Sequence, residues 1–141
     1  RAGIGRAFQV ANIFHSLTVE ETLLAAVAAH RGLSTHMRHR FPLHDTRARV
    51  VELTEMLGLT DRLKVLSANL SHGDQKLLDI ALALVLEPRV LLLDEPTAGM
   101  GPDERWRMIE KVYQLWEMQK MTLIFIGDTR KPSCYRGVSR N

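Results

Sequence analysis

The chain has a single cysteine, Cys134, and few aromatic residues, 6% of its 141 positions. A lone thiol has no internal partner, which excludes a disulfide-stapled secreted scaffold and suits a reducing compartment. No stretch approaches the ~18 to 20 consecutive apolar residues that span a bilayer, and the first residues lack the basic-then-apolar pattern of a signal peptide. If the protein works at a membrane, it must dock onto other subunits that cross it. Charge of one sign is also scarce: the formal net charge is +3, so the overall balance demands neither nucleic acid nor an acidic lipid surface. Internal repeats and low-complexity tracts are lacking. What is present is a chain 45% hydrophobic, in the range that supports one domain with a sizeable core. It begins at Arg1 rather than Met, inside what reads as an ongoing domain, so a partial chain is expected.

Gly3 and Gly5 precede Ala7-Phe8 and then Gln9, the pattern of a strand end or turn that runs into a loop over about residues 10–17. Thr18 and Glu21 have capping-box spacing, and Val19, Leu23, Leu24 and Val27 recur at helical intervals, so a helix is expected there. Residues 31–44 are polar, basic and broken by Gly32 and Pro42, and read as a linker. A second helix is expected from Asp45 to about Leu57, stopped by Gly58, then a short helical turn from Thr60 to about Leu66. Ser71 stands where an N-cap belongs, ahead of a mostly buried helix that ends near Glu87-Pro88. Val90 to Leu93 reads as a fully buried parallel strand. Pro102 and Asp103 open another helix, with Trp106, Ile109, Val112, Tyr113 and Trp116 spaced to face inward, and Thr122 to Ile126 is a second β-rich run. Strand, helix and strand in that order imply a right-handed crossover and an α/β domain with a mostly parallel sheet.

Two short segments carry chemistry. In Leu91-Leu92-Leu93-Asp94-Glu95-Pro96, apolar residues end at once in two carboxylates. Ligands of open parallel sheets bind outside the carboxyl ends of the strands, so both acids belong at a site. Asp94 is placed to hold Mg²⁺, a hard cation that prefers carboxylate oxygen, and Glu95 to polarise water attacking a γ-phosphate. The bland alternative is that Asp94 caps a turn after a strand. Upstream, Leu70-Ser71-His72-Gly73-Asp74-Gln75 opens a helix whose N-terminus offers N–H groups, a hydroxyl and a favourable dipole to an anion, with Gly73 permitting close approach. Alone, it is a helix cap.

Together the two segments resemble the ABC ATPase family, whose signature LSGGQ stands here as LSHGDQ and whose Walker B motif stands as VLLLDEP. The resemblance implies a P-loop NTPase-like ABC nucleotide-binding domain with a parallel sheet and a helical lobe, using ATP and Mg²⁺. Residues 1–17 then form the Q-loop segment of the ATPase core, 18–69 the helical lobe, 70–126 the signature helix and Walker B portion, and 127–141 an atypical basic tail. Gln9 matches the Q-loop glutamine, which in the family contacts metal and attacking water and lies where a membrane subunit docks. Ser71, Gly73 and Gln75 fall to the cofactor, Asp94 and Gln9 to the metal, and Glu95 with Gln9 to catalysis. The partners implied are a second ATP-binding subunit and transmembrane permease subunits, with the chain peripheral on the cytoplasmic face of the membrane. Gly3-Ile4-Gly5-Arg6, Leu17-Thr18-Val19-Glu20-Glu21 and Pro96-Thr97-Ala98-Gly99-Met100 look most like subunits of branched-chain amino acid importers. A non-transport ABC ATPase, a translation or DNA-repair factor, is the alternative, although no sustained heptads interrupt residues 9–71.

Several positions depart from the family pattern. His72 replaces the first glycine of the signature pair, Asp74 its glutamine, and Gly101 stands where many members carry Asp. No G-x-x-x-x-G-K-[ST] occurs, so the N–H nest and lysine that cradle phosphates are lacking and this chain alone is expected not to bind ATP usefully. Gly127-Asp128-Thr129 stands where the family places a histidine, and a change of reading frame near Ile126 or natural divergence would each explain the tail. His36, His39 and His44 lack the Cys or carboxylate complement of a metal site. Arg38, Arg40, Arg47 and Arg49 have no interleaved aromatics to stack nucleobases, so a solvated face is expected and no nucleic acid.

Overall fold

A computed structural model describes residues 4–7, 16–32, 43–119 and 121–126. Its regular elements are β1 (Ile4–Ala7), α1 (Val19–His30), α2 (Leu43–Leu57), α3 (His72–Val85), β2 (Val90–Asp94), α4 (Pro102–Gln119) and β3 (Thr122–Ile126), with 3₁₀ turns at Thr60–Arg62 and Ser67–Asn69. The start of α1 follows the sequence closely. The Thr18 hydroxyl accepts the Glu21 N–H at 3.2 Å while the Glu21 carboxylate accepts the Thr18 N–H at 2.8 Å, so two of the donors that a helix start leaves unpaired are satisfied reciprocally. Next to this cap the chain from Leu63 to Ser67 runs back alongside: Val19 N–H donates to Val65 O and Ser67 N–H to Leu17 O. Leu66, expected inside a helical turn, instead pairs with Thr18 in an antiparallel bridge, and the turn ends at Arg62.

Helix α2 begins at Leu43 rather than at Asp45. Asp45 thereby sits inside the first turn, where its charge favours the helix dipole. α1 packs against α2 and α3, and α2 also against α4. On α4 the inward stripe is Met108, Val112 and Leu115, one helical face rotated from the expected one. Trp106, Ile109, Tyr113 and Trp116 are half-buried beside that stripe, with Tyr113 and Trp116 edge to face at 6.0 Å. The helix carries two apolar stripes sharing Val112, and the one that lies against α2 has the slimmer side chains.

The three strands pair in parallel in the order β1-β2-β3, with β2 central. Its burial alternates, Leu91 and Leu93 fully covered and Val90 and Leu92 half-exposed, so β2 is not the fully buried strand its composition suggests. In register with it, Leu123 and Phe125 of β3 are half-buried, while Ile124 and Ile126 are 45% and 49% exposed. Among the described residues helices cover one face of the sheet only. One continuous core joins Leu91 and Leu93 to Leu23, Leu53, Leu78 and Met108 from four helices. No described helix is long and apolar enough to cross a membrane.

Candidate functional site

The acid pair stands at the carboxyl end of the central strand. Asp94 is the last residue of β2, exposed, and in strand alternation it shares the half-exposed face with Leu92 and, across the register, with Ile126. Glu95 is exposed and adopts φ +44°, a left-handed conformation that costs a non-glycine residue on the order of 1 kcal/mol. Its N–H donates to Ile126 O at 2.7 Å and its carbonyl accepts the Ala98 N–H at 3.0 Å, so the turn after β2 is fastened to the end of β3 and closed upon itself.

The tip of α3 lies against that turn. Ser71 is an exposed N-cap whose hydroxyl accepts the Asp74 N–H at 3.1 Å, which leaves its own proton available to donate. Gly73 is buried because the Glu104 side chain, from the first turn of α4, crosses it and accepts its N–H at 3.2 Å. A carboxylate of the chain itself therefore occupies the anion-favouring end of α3. A Cβ at Gly73 would meet the Glu104 Oε1 at 2.4 Å, and one at Gly99 would lie 3.4 Å from the His72 ring. Lys76, one turn deeper, is buried and donates to the carbonyls of Glu95 and Ala98 at 3.2 and 3.0 Å. Burial pulls its ammonium pKa down, opposed by the charges of Asp79 and Glu95. Burial also pushes the Asp79 carboxyl up to about 7, against the pull of Lys76.

Of the residues singled out from sequence, the structure thus brings Ser71 and Gly73 on one helix tip beside the turn that carries Asp94 and Glu95. Gln75 points elsewhere: its amide donates back to Leu70 O at 3.3 Å. Gln9 lies outside the described residues, as do His36, His39, Arg38, Arg40, Cys134 and the segment from Gly127. Arg47 pairs with Glu20, which Lys64 also engages, and Arg49 pairs with Glu52 and reaches Leu84 O. Hydrogen bonds from Lys64 and then Arg47 hold the Glu20 carboxyl below its usual range. Sequence reasoning missed Lys76 and Glu104. A charged residue on an amphipathic helix gives no sign that its tip will meet backbone groups distant along the chain.

Among the described residues no three His, Cys, Asp or Glu side chains gather into a metal cage. A single exposed carboxylate at a strand end fits Mg²⁺, which keeps several waters and takes one or two carboxylates plus phosphate oxygens. For a nucleotide, the Ser71 hydroxyl offers a donor to one side of a phosphate chain while the Gly73 N–H is held by Glu104, and the sequence contains no phosphate-cradling loop for the other side.

A parallel sheet whose central strand ends in two acids, abutting the capped N-terminus of a helix from a helical lobe, defines an α/β domain of the nucleotide-binding class. The family model for ABC transporters matches residues 1–98, and the chain belongs to that family. It is 33% identical over 139 residues to the high-affinity branched-chain amino acid transport ATP-binding protein LivG of Escherichia coli K12, covering 93% of this chain and 54% of LivG. It is 34% identical to the methionine import ATP-binding protein MetN 3 of Pseudomonas fluorescens, over 89% of this chain and 36% of that protein. The dimeric post-hydrolysis structure of the ATP-binding cassette MJ0796 with ADP and Pi superimposes with TM-score 0.65 at 25% identity, covering 89% of this chain and 52% of that one. The chain spans about half the length of LivG, at 54%. The described fold is part of that of an ABC nucleotide-binding domain.

Proposed function

We propose that this chain supplies the signature and acid-ended strand of an ATP-hydrolysing subunit that powers an ABC importer for amino acids, of the branched-chain type. The observation that carries the reading is the contact between the α3 tip and the turn after β2, which gathers Ser71, Gly73, Asp94 and Glu95 at one end of the sheet. Asp94 would hold Mg²⁺, which when bound would offset the negative charge of the phosphates. Glu95 orients the attacking water and takes its proton. Ser71 and Gly73 close over ATP held by the phosphate loop of a second ATP-binding subunit, and the Glu104 carboxylate swings off the Gly73 N–H as they do so. Gln9 contributes to the metal and water, and its loop is where permease subunits dock, placing the protein peripherally on the cytoplasmic face of the membrane. The resemblance to LivG supports branched-chain substrates, and the likeness to MetN 3 supports amino acid import more broadly.

In a complete subunit containing this chain, Glu95→Gln is expected to lower ATP turnover by roughly 10² to 10⁴. A loss under about threefold removes Glu95 from the role of base. The 141-residue chain by itself should show no useful ATP affinity, and micromolar binding by calorimetry contradicts the two-subunit scheme.

A further inference from the structure

Glu95 holds a backbone conformation that non-glycine residues avoid, and such strain persists only where surrounding contacts over-determine it. Two of those contacts are local to the turn and the sheet, the Ala98 N–H on the Glu95 carbonyl and the Glu95 N–H on Ile126 O. The third comes from another element. The Lys76 ammonium reaches from α3 to the carbonyls of both Glu95 and Ala98, bracketing the turn at its first and last residues. A lysine is seldom buried unless paired, since desolvating its charge is costly. Here two carbonyl dipoles and the neighbouring Asp79 and Glu95 carboxylates compensate it. A methionine or leucine would fill the same space at lower cost, so packing alone does not account for a charged residue at this position.

We infer that Lys76 is a positioning residue for hydrolysis: its buried ammonium locks the turn that aims Glu95 to the signature helix, so that the helix tip and the acid move as one body. This rests on the reading of Glu95 as the group that activates water. Its consequence is mechanical, because whatever closes the α3 tip over a phosphate also carries the Glu95 backbone into place. Without the ammonium the turn keeps its own hydrogen bond but loses its tie to α3.

The test uses Lys76→Met, which retains the stem, and Lys76→Arg, which restores charge and N–H donors, both in a complete subunit with Glu95→Gln as control. Lys76→Met is expected to lower kcat about 10- to 100-fold while KM for ATP moves less than about threefold, and Lys76→Arg to recover most of the loss. If Lys76→Met leaves kcat within about threefold of the parent while Glu95→Gln abolishes turnover, the inference is overturned and the Glu95 reading stands. If Glu95→Gln itself leaves turnover intact, it is the underlying reading that fails. Should Lys76→Met not fold, amide and ammonium exchange in the unmutated chain decides. A protected Ala98 N–H together with a slowly exchanging Lys76 ammonium supports the lock, and free exchange of both overturns it.

Discussion

Asp79 and Glu20 impose opposite pH dependences on stability. Burial raises the Asp79 carboxyl from its ordinary 3.8 to about 7, so between those values the folded chain binds a proton that the unfolded chain has released. Stability from this group is therefore greatest in acid, falls as pH rises from about 4 to about 7, and is flat beyond. Glu20 works the other way. Its pKa is lowered below 4.5 by Lys64 and Arg47, so its contribution is present above that value and disappears as pH drops through the folded pKa. On these two groups, thermal melts should consequently show a maximum near about pH 4. Asp79→Asn, a neutral mimic of the protonated acid, is expected to raise Tm at pH 8 and to leave it within about 2 °C of the parent at pH 4. An equal gain at both pH values would assign the effect to packing instead of charge. None of this was legible in the sequence, where Asp79 is a polar residue on an amphipathic helix. The burial that perturbs it, against the opposing pull of Lys76, exists only after folding.

At the scale of elements, the clearest join is the end of α2. Gly58 at φ +65° lets its own N–H donate to Glu55 O at 3.1 Å and the Leu59 N–H to Thr54 O at 2.8 Å, a Schellman pair with Leu59 buried beneath. Lys111 of α4 then donates to Leu57 O at 2.9 Å, adding a cation at the negative end of the dipole. An alanine Cβ at Gly58 would sit 2.7 Å from the Lys111 Nζ, so the tip of that flexible side chain would have to shift off Leu57 O. Gly58→Ala should thus cost about 2 kcal/mol, half from the left-handed backbone and half from the displaced lysine. In a Lys111→Met background the same change should cost only about 1 kcal/mol, and urea titration of the four variants checks the coupling. Additive losses would mean that the alanine leaves the Lys111 bond to Leu57 O in place. The glycine stop was visible beforehand because only the turn's own residues set it, and the same holds for the Thr18–Glu21 box and for β3. The inward face of α4 was not, because Trp106, Ile109, Tyr113 and Trp116 form a periodic stripe as regular as Met108, Val112 and Leu115. Periodicity says that a helix has an apolar face; which of two faces wins is settled by the surface of α2 that receives it.

At the scale of the whole molecule the question is whether the helical lobe and the sheet portion behave as separate bodies, as residues 18–69 and 70–126 would if each held a core of its own. Leu53 of α2 and Leu93 of β2 are both buried, at 0% and 1% exposure, and both belong to one continuous cluster. The bond from Lys111 to Leu57 O and the ion pair of Arg62 with Asp74, at 3.4 Å, cross the same divide. A shared core implies that loss of packing on either side weakens both. Leu53→Ala and Leu93→Ala are each expected to cost about 2–5 kcal/mol and to shift a single urea transition, with far-UV circular dichroism and the fluorescence of Trp106 and Trp116 moving together. The two probes divide the labour, since both tryptophans lie on α4 whereas the dichroism reports all the helices. If Leu53→Ala advances the dichroism change while the fluorescence midpoint stays put, the lobe unfolds on its own, and the rigid coupling of α3 to the sheet must be carried by the Lys76 and Glu104 contacts without help from the core.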